Sequence, residues 1–332
     1  MIGSVRARWT VVAVLLAAIA FMLAPAGSAR SDSYPDRSIR LIVPYAPGGG
    51  TDIIARIFAA QLSSELKQTV FVENHDGAGG IVGAGVVAKA KNDGYTLLFT
   101  PQGPITIAPN FQRPLSYDPK KDLLPVAMVA EQPILFVVNK SNPASDFQQF
   151  IAAEKKMNPR TLNFGSPGVG TEMDLTVDLL QQQTGIKMVH LPYKGGGPAI
   201  SALLRGDIAM MPVVPSSILP YVKNGNVKVI ATTAAKRLDS LPDVPTTKEL
   251  GIADVDIRPW WGIFAPKDTL QDVVKRIETA AKAVGANPQY REKMKNVSTD
   301  IVFVGGEQFS AMLAKQTARW GQIIGEFHIV LE

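Results

Sequence analysis

Glycine-rich segments flanked by hydroxyl side chains are the parts of this sequence best suited to ligand chemistry. Four of them precede predicted helices, at residues 44–52 (PYAPGGGTD), 74–80 (NHDGAGG), 165–171 (GSPGVGT) and 193–199 (YKGGGPA). Glycine lets the backbone approach a ligand closely, and the N–H groups in the first turn of a helix have no partner within that helix. These loops therefore predict the binding of an anion by main-chain N–H and hydroxyl donors. The alternative is that the glycines only permit tight turns.

Lys194 is the only lysine or arginine within these four loops. A bound carboxylate would therefore be held mainly by backbone N–H and hydroxyl donors, each charge-assisted bond contributing roughly 1.5–3 kcal/mol. Lys194 itself is equally compatible with a ligand contact and with a solvated surface position.

Catalytic patterns are missing from the sequence. Ser166 stands in Gly-Ser-Pro-Gly rather than in the Gly-x-Ser-x-Gly turn that exposes a nucleophile. Of the three histidines, His190 is interpreted as a packing residue on a strand, His328 as an exposed terminal residue, and His75 stays open because it borders a glycine loop. No metal-ligand spacing and no phosphate-binding Gly-Lys pair occurs. We predict no enzyme activity, no cofactor and no metal.

The adjacent tryptophans Trp260 and Trp261 allow two interpretations. Their rings could stack on an aromatic ligand, or they could pack in the core near the junction of two domains. The second is favoured, because tryptophan is usually mostly buried.

Alternating strand and helix patterns place the glycine loops at the ends of strands. Residues 39–43, 70–72 and 96–99 read as strands, with helices at 52–66 and 80–90 between them. This order predicts a doubly wound α/β lobe with a parallel sheet.

The strand and helix pattern restarts after a proline-rich passage at residues 101–125, which predicts a second α/β lobe. The tail adds long helices that the first lobe needs to cover its sheet. We therefore expect lobe 1 to comprise residues 34–130 plus 233–332 and lobe 2 to comprise residues 131–232. Two crossover segments would join them as a hinge beside a cleft.

The N-terminus has the composition of a secretory signal peptide, residues 1–29. Arg6 and Arg8 precede an apolar stretch at 9–23 and a run of small residues, with cleavage predicted after Ala26 or Ala29. The apolar stretch is short for a membrane span of about 20 residues. The chain has no cysteine, which excludes disulfides and a lipidated cysteine anchor. We expect a soluble periplasmic protein that is not a lipoprotein.

The net charge is +5, but the basic residues are scattered among acidic ones. They form no stripe suited to nucleic acid, so a nucleic-acid partner is not expected.

Several further segments stand in a specific order around the glycine loops. They are residues 34–37 (YPDR), 39–44 (IRLIVP), 93–98 (DGYTLL), 192–195 (PYKG), 197–199 (GPA) and 261–266 (WGIFAP). Together with residues 47–52 and 77–80, they resemble the Bug-type solute receptors of tripartite tricarboxylate transporters, across essentially the whole mature chain. The resemblance implies a two-lobed periplasmic binding protein fold (type II-like), each lobe a central sheet flanked by helices, that closes on a carboxylated ligand.

The resemblance also implies which loops face the ligand, partly through water. Matching positions point to Gly49, Thr51, Gly79, Gly80, Ser166, Gly170 and Lys194. To these we add Gly48, Gln102, Thr171, Tyr193 and Gly195 as predicted ligand-binding residues.

The sequence departs from the family pattern at three places. Residues 101–104 (PQGP) come after the third strand, where the family usually has small and hydroxyl residues. Residues 172–174 (EMD) replace a common Pro-His-Leu stretch, and residues 212–214 (PVV) stand where many relatives place an aspartate suited to an amino group. The last departure makes an amino-acid ligand less expected, and the identity of the carboxylate stays open.

The function that the resemblance implies is capture of a small carboxylate and its delivery to the membrane permease subunits of a tripartite tricarboxylate-type transporter. The receptor is expected to be a monomer. The alternative is a ligand-sensing receptor that feeds a membrane signalling partner, since both would bind the same class of ligand.

Overall fold

The computed structural model describes residues 34–111, 114–156, 162–252, 255, 257–327 and 329. The predicted signal peptide and His328 lie outside the described residues. The chain divides into the units Met1–Tyr34 and Pro35–Glu332, and both sheets belong to the second unit.

Strands and helices alternate along most of the chain. The strands are β1 (Ile39–Val43), β2 (Val70–Asn74), β3 (Thr96–Thr100), β4 (Leu123–Glu131), β5 (Leu135–Asn139), β6 (Asn163–Ser166), β7 (Val189–Pro192), β8 (Met210–Val213), β9 (Val227–Thr232), β10 (Trp260–Pro266) and β11 (Asp300–Gly305). The helices are α1 (Gly50–Leu66), α2 (Ile81–Ala88), α3 (Pro119–Asp122), α4 (Phe147–Lys156), α5 (Glu172–Thr184), α6 (Gly196–Arg205), α7 (Pro215–Lys223), α8 (Gln271–Ala286), α9 (Pro288–Asn296) and α10 (Gly306–Glu326).

The first sheet has six strands in the order β11-β4-β10-β3-β1-β2. β1 pairs in parallel with β2 and β3, as the sequence predicts, but β10 pairs antiparallel with β3 and β4, and β11 antiparallel with β4. The sheet is therefore mixed, because the tail returns to it as strands as well as helices. Every residue of β10 is buried, which fits a central strand covered on both faces.

The second sheet has five strands in the order β7-β6-β8-β5-β9 and is also mixed. β6 pairs in parallel with β7 and β8, whereas β5 is antiparallel to β8 and β9. Its core includes Leu135, Val137, Leu203 and Met211, all 0% exposed. Each sheet thus supports its own lobe, and the glycine loops leave the carboxyl ends of the parallel strands.

The two crossings between the sheets are hydrogen-bonded to each other. The chain passes from β4 to β5 and returns from β9 to β10. Thr233 N donates to Ile134 O at 2.9 Å, and Ile134 N donates to Thr233 Oγ1 at the same distance. Gln132, fully buried beside the first crossing, donates to Thr299 Oγ1 at 2.8 Å and accepts from Ser216 Oγ at 2.9 Å. These bonds tie the hinge to both lobes.

Within the described part of the chain, every helix is too short or too polar to cross a bilayer.

Candidate ligand-binding cleft

The first turns of four helices line one cavity between the lobes. From the first lobe come Tyr45, Gly49, Gly50, Thr51, Pro101 and Trp261. From the second come Pro167, Thr171, Glu172, Met173, Gly196, Met211, Pro212, Val213, Val214 and Ser217. The helices are α1, α5, α6 and α7. Their N-terminal N–H groups and partial positive charges make the cavity favourable for an anion.

The cleft is closed in this structure. The space open to water molecules within it is about 30 Å³, which suits one or two ordered waters.

Asp52 positions the first glycine loop. Its carboxylate accepts from Gly48 N at 3.1 Å and from Asn74 Nδ2 at 3.0 Å, and it pairs with Arg56 at 2.8 Å. Burial acts to raise the pKa of Asp52, but the bonds from Arg56, Gly48 and Asn74 outweigh it and lower that pKa. Asp52 therefore stays ionised and fixes the loop that precedes α1.

Thr51 is linked to a tryptophan on the cavity wall. Trp261 Nε1 donates to Thr51 Oγ1 at 3.0 Å, and both side chains are buried. A hydroxyl that accepts this bond keeps its own hydrogen for a second partner. Trp261 packs in the core, as favoured from the sequence, and also lines the cavity.

The second glycine loop is bent so that it meets the other lobe. Gly79 and Gly80 have φ angles of 62° and 94°, a region that favours glycine. Tyr45 Oη donates to Gly79 O at 3.1 Å. A Cβ at Gly79 would lie 2.5 Å from Val169 O of the second lobe, so this loop needs glycine for contact between the lobes as well as for its turn.

A buried network of hydrogen-bonded polar groups around His190, here called the His190 network, supports the third glycine loop. His190 Nε2 lies 2.7 Å from Ser166 Oγ, and His190 Nδ1 lies 3.1 Å from Asp174 Oδ1. Asp174 also accepts from Gly170 N at 2.8 Å. Phe164 stacks on the imidazole at 4.6 Å between ring centroids. The His190 network therefore connects α5, β7 and the loop after β6.

Ser166, His190 and Asp174 are the residue types of a hydrolytic triad. The sequence interpretation of His190 did not anticipate that the three side chains lie together. The protonation states differ from those of a triad. Burial raises the pKa of Asp174 to about 8 and lowers the pKa of His190 to about 4. A protonated Asp174 would donate to Nδ1, which would leave the imidazole hydrogen on Nε2 to be donated to Ser166 Oγ.

Ser166 in turn donates to Gly168 O at 3.0 Å and accepts from Gly168 N at 3.1 Å. Its hydroxyl is fully buried and does not lie on the cavity wall. A nucleophilic serine must instead give its proton to the imidazole and reach a substrate. Ser166 thus anchors the loop.

The predicted site residues fall into three groups. Gly49, Thr51 and Thr171 line the cavity. Gly48, Gly79 and Gly195 contact the opposite lobe, and Gly80 packs on Tyr45 Oη. Four of the remaining predicted residues make contacts within their own lobe: Ser166 and Gly170 belong to the His190 network, Gln102 is buried and accepts from Trp260 N at 3.3 Å, and Tyr193 N donates to Ser166 O at 3.0 Å. Lys194 has an exposed side chain, and its carbonyl oxygen accepts from Ala46 N of the opposite lobe at 3.0 Å.

Other cavity residues were not among the predicted ones. Gly50 and Gly196 adjoin predicted positions, and Glu172 and Met173 stand in a segment that departs from the family pattern. Val214 and Ser217, at the start of α7, also line the cavity. They were not predicted because this segment contains no glycine.

Among the described residues, no group of three or more His, Asp or Glu side chains is arranged to hold a metal ion.

Two α/β lobes that close on a cavity lined by helix N-termini define a two-lobed binding protein. The model of the tripartite tricarboxylate transporter family receptor, TctC, matches residues 54–329, and the chain belongs to this family.

Relatives and solved structures agree with this assignment. Protein BugT of Bordetella pertussis is 33% identical over 320 residues, covering 94% of this chain and 97% of BugT. The periplasmic binding protein BugD matches with a TM-score of 0.87 at 30% identity, over 90% of this chain and 100% of BugD. MatC from Rhodopseudomonas palustris with bound malate matches with a TM-score of 0.82 at 28% identity, over 88% of this chain and 100% of MatC. The resemblance to Bug-type receptors and the two-lobed fold are thereby confirmed.

Proposed function

We propose that this chain is a periplasmic receptor that binds a small carboxylate between its lobes and delivers it to the permease subunits of a tripartite tricarboxylate-type transporter. The observation that carries the proposal is the meeting of four helix N-termini at one cavity between two hinged lobes. Family membership and the malate bound by MatC support the ligand class.

The arrangement acts by replacing water around the anion with fixed donors. Main-chain N–H groups of α1 and α6 and the Thr51 hydroxyl would bind the carboxylate, and closure would remove the remaining solvent. The lobes are residues 34–130 plus 233–332 and residues 131–232. The protein acts as a monomer without a cofactor and without catalysing a reaction.

Delivery to a permease needs a difference between two states of the receptor. A ligand that binds only between closed lobes shifts the receptor toward that state, by as much as its affinity for the two states differs. The permease would then recognise the closed surface, and opening would release the carboxylate.

Thermal unfolding of the protein purified from the periplasmic fraction tests the proposal. The panel contains di- and tricarboxylates, aromatic carboxylates and amino acids, with sugars and choline as controls. A true ligand at 100 times its dissociation constant adds about 2.7 kcal/mol of stability. Stabilisation by sugars or choline, with none by any carboxylate, would contradict the ligand class. The intact mass of the same sample locates cleavage after Ala26 or Ala29 and tests the secreted location.

A further inference from the structure

Glu172 is a buried carboxyl group on the wall of the cleft. It is the first residue of α5 and only 3% exposed, and it lines the cavity together with Thr51 and Trp261. Its Oε2 atom is buried without a hydrogen-bond partner. A buried polar atom of this kind calls for an explanation, because leaving it unpaired is costly.

The surroundings of Glu172 supply no positive side chain. Among the described residues that line the cavity it is the only carboxyl group, and none of them is Lys, Arg or His. Tyr45 faces it from the first lobe, and the negative charge of Glu172 helps to raise the pKa of that phenol, after the larger effect of burial. Asp174 lies two residues further along the same helix.

Two opposing effects set the charge of Glu172. Burial raises its pKa to about 7, while the backbone N–H groups of Glu172 itself and of Gly103 act to lower it, although neither makes a hydrogen bond to Oε2. Near neutral pH the group therefore stands between its two states. A partner placed beside it decides which state is occupied.

We propose that Glu172 is a specificity determinant and that the ligand carries an ammonium group in addition to its carboxylate. This inference rests on the proposed function of the cleft. The helix N-termini would bind the carboxylate end, and Oε2 of Glu172 would accept from the ammonium. A hydroxyl group would also donate, but only a cation offsets the cost of a buried negative charge.

Glu172 also revises the interpretation of position 212. The lack of an aspartate after Met211 disfavours an amino-acid ligand when the sequence is considered by itself. In the structure Met211, Pro212 and Val213 share one cavity with Glu172. Glu172 therefore places an acidic side chain in this cavity from α5, rather than from the end of β8.

Isothermal titration with ligands matched in size tests this assignment. Each set contains an amino, a hydroxy and an unsubstituted acid on one carbon skeleton: aspartate, malate and succinate; glutamate, 2-hydroxyglutarate and glutarate; phenylalanine, phenyllactate and phenylpropionate. The wild type is compared with Glu172→Gln, which keeps the shape and removes the charge. Glu154→Gln is the matched control, since Glu154 is also 3% exposed with an unpartnered Oε2 but does not line the cavity.

At pH 8 the wild type is expected to bind one amino acid at least about tenfold more tightly than its hydroxy and unsubstituted analogues, the size typical of a charge-assisted hydrogen bond. Glu172→Gln should lose this preference and bind the unsubstituted acid as well as the wild type or better. Glu154→Gln should behave as the wild type. Thermal unfolding of each variant verifies that it folds.

The pH dependence provides a second readout. Affinity for the amino ligand should rise between pH 6 and pH 8 as Glu172 loses its proton, and this rise should vanish in Glu172→Gln. Asp174 titrates in the same range, so a rise that persists in Glu172→Gln would assign it to Asp174 and overturn the proposal.

The other outcomes are distinguishable. If unsubstituted or hydroxy acids bind more tightly than every amino analogue, the inference about Glu172 is wrong and the carboxylate receptor stands. If no carboxylate of any kind binds, the proposed function is wrong and the inference falls with it.

Discussion

The backbone N–H of Ala46 donates a hydrogen bond of 3.0 Å to the carbonyl oxygen of Lys194, and these two residues belong to different lobes. Around this bond the backbones of the two lobes are in direct contact. A Cβ at Gly49 would lie 3.0 Å from Gly196 N, and a Cβ at Gly195 would lie 2.7 Å from Ala46 N. Closure of the cleft therefore requires glycine on both sides.

Gly197→Ala should impair closure without disturbing the fold. Its backbone conformation suits any residue, but a Cβ there would overlap the carbonyl oxygen of Pro47 in the opposite lobe. We expect ligand affinity to fall by about tenfold or more, because the closed state carries the binding donors. Titration calorimetry measures the affinity, and small-angle scattering shows whether ligand still reduces the radius of gyration.

Gly325→Ala is the control for this substitution, since nothing lies within 4 Å of a Cβ there. Unchanged affinity in Gly197→Ala would show that close contact between the glycine loops is not needed for binding.

Thr51→Val should weaken both binding and stability. The change removes a hydroxyl donor from the cavity and leaves the buried Trp261 N–H without its acceptor, a loss of about 1–3 kcal/mol in unfolding free energy. Thr51→Ser keeps the hydroxyl and should restore most of both properties. Urea unfolding and calorimetry measure the two effects, and equal affinities of Thr51→Val and Thr51→Ser would remove this hydroxyl from the site.

Asp174 should make the ligand-free protein less stable as the pH rises. Its pKa is raised from 3.8 to about 8 by burial, so the folded state holds a proton that the unfolded state has lost. His190 has the opposite effect up to pH 6.5, because its pKa is lowered from 6.5 to about 4 and the unfolded state there binds a proton that the folded state lacks. The unfolding free energy should therefore fall between about pH 6.5 and pH 8, by at most about 1.4 kcal/mol per pH unit for one proton.

Asp174→Asn should flatten this fall, as measured by urea unfolding at a series of pH values. Glu172 titrates near pH 7 and contributes to the lower part of the range, so the interval from pH 7 to pH 8 is the decisive one. An identical slope there in Asp174→Asn would mean that Asp174 is ionised in the folded protein.

Ser166→Ala separates an anchoring serine from a nucleophile. We expect the wild type to hydrolyse activated esters no faster than Ser166→Ala, because the hydroxyl proton is directed to Gly168 O. Ligand affinity should fall, since Gly168 in the loop before α5 loses both of its bonds to the Ser166 hydroxyl. Ester hydrolysis that disappears in both Ser166→Ala and His190→Ala would establish an enzyme.

The glycine loops and the β-α-β order could be predicted from sequence because both are local signals. The mixed sheets could not, since nothing local in residues 260–266 fixes the direction in which a distant strand pairs. β4 was missed because Pro125 disfavours a strand; the structure accommodates it where the register with β10 shifts at Phe264. The partners of His190 and Glu172 come from other elements, so their environment emerges only when the chain is folded.

A crystal structure of the protein with the carboxylate that stabilises it most tests the central claim most directly. We predict closed lobes and carboxylate oxygens about 2.7–3.2 Å from backbone N–H groups in the first turn of α1 or α6. A ligand held by exposed side chains outside the cleft, with the lobes apart, would contradict the account.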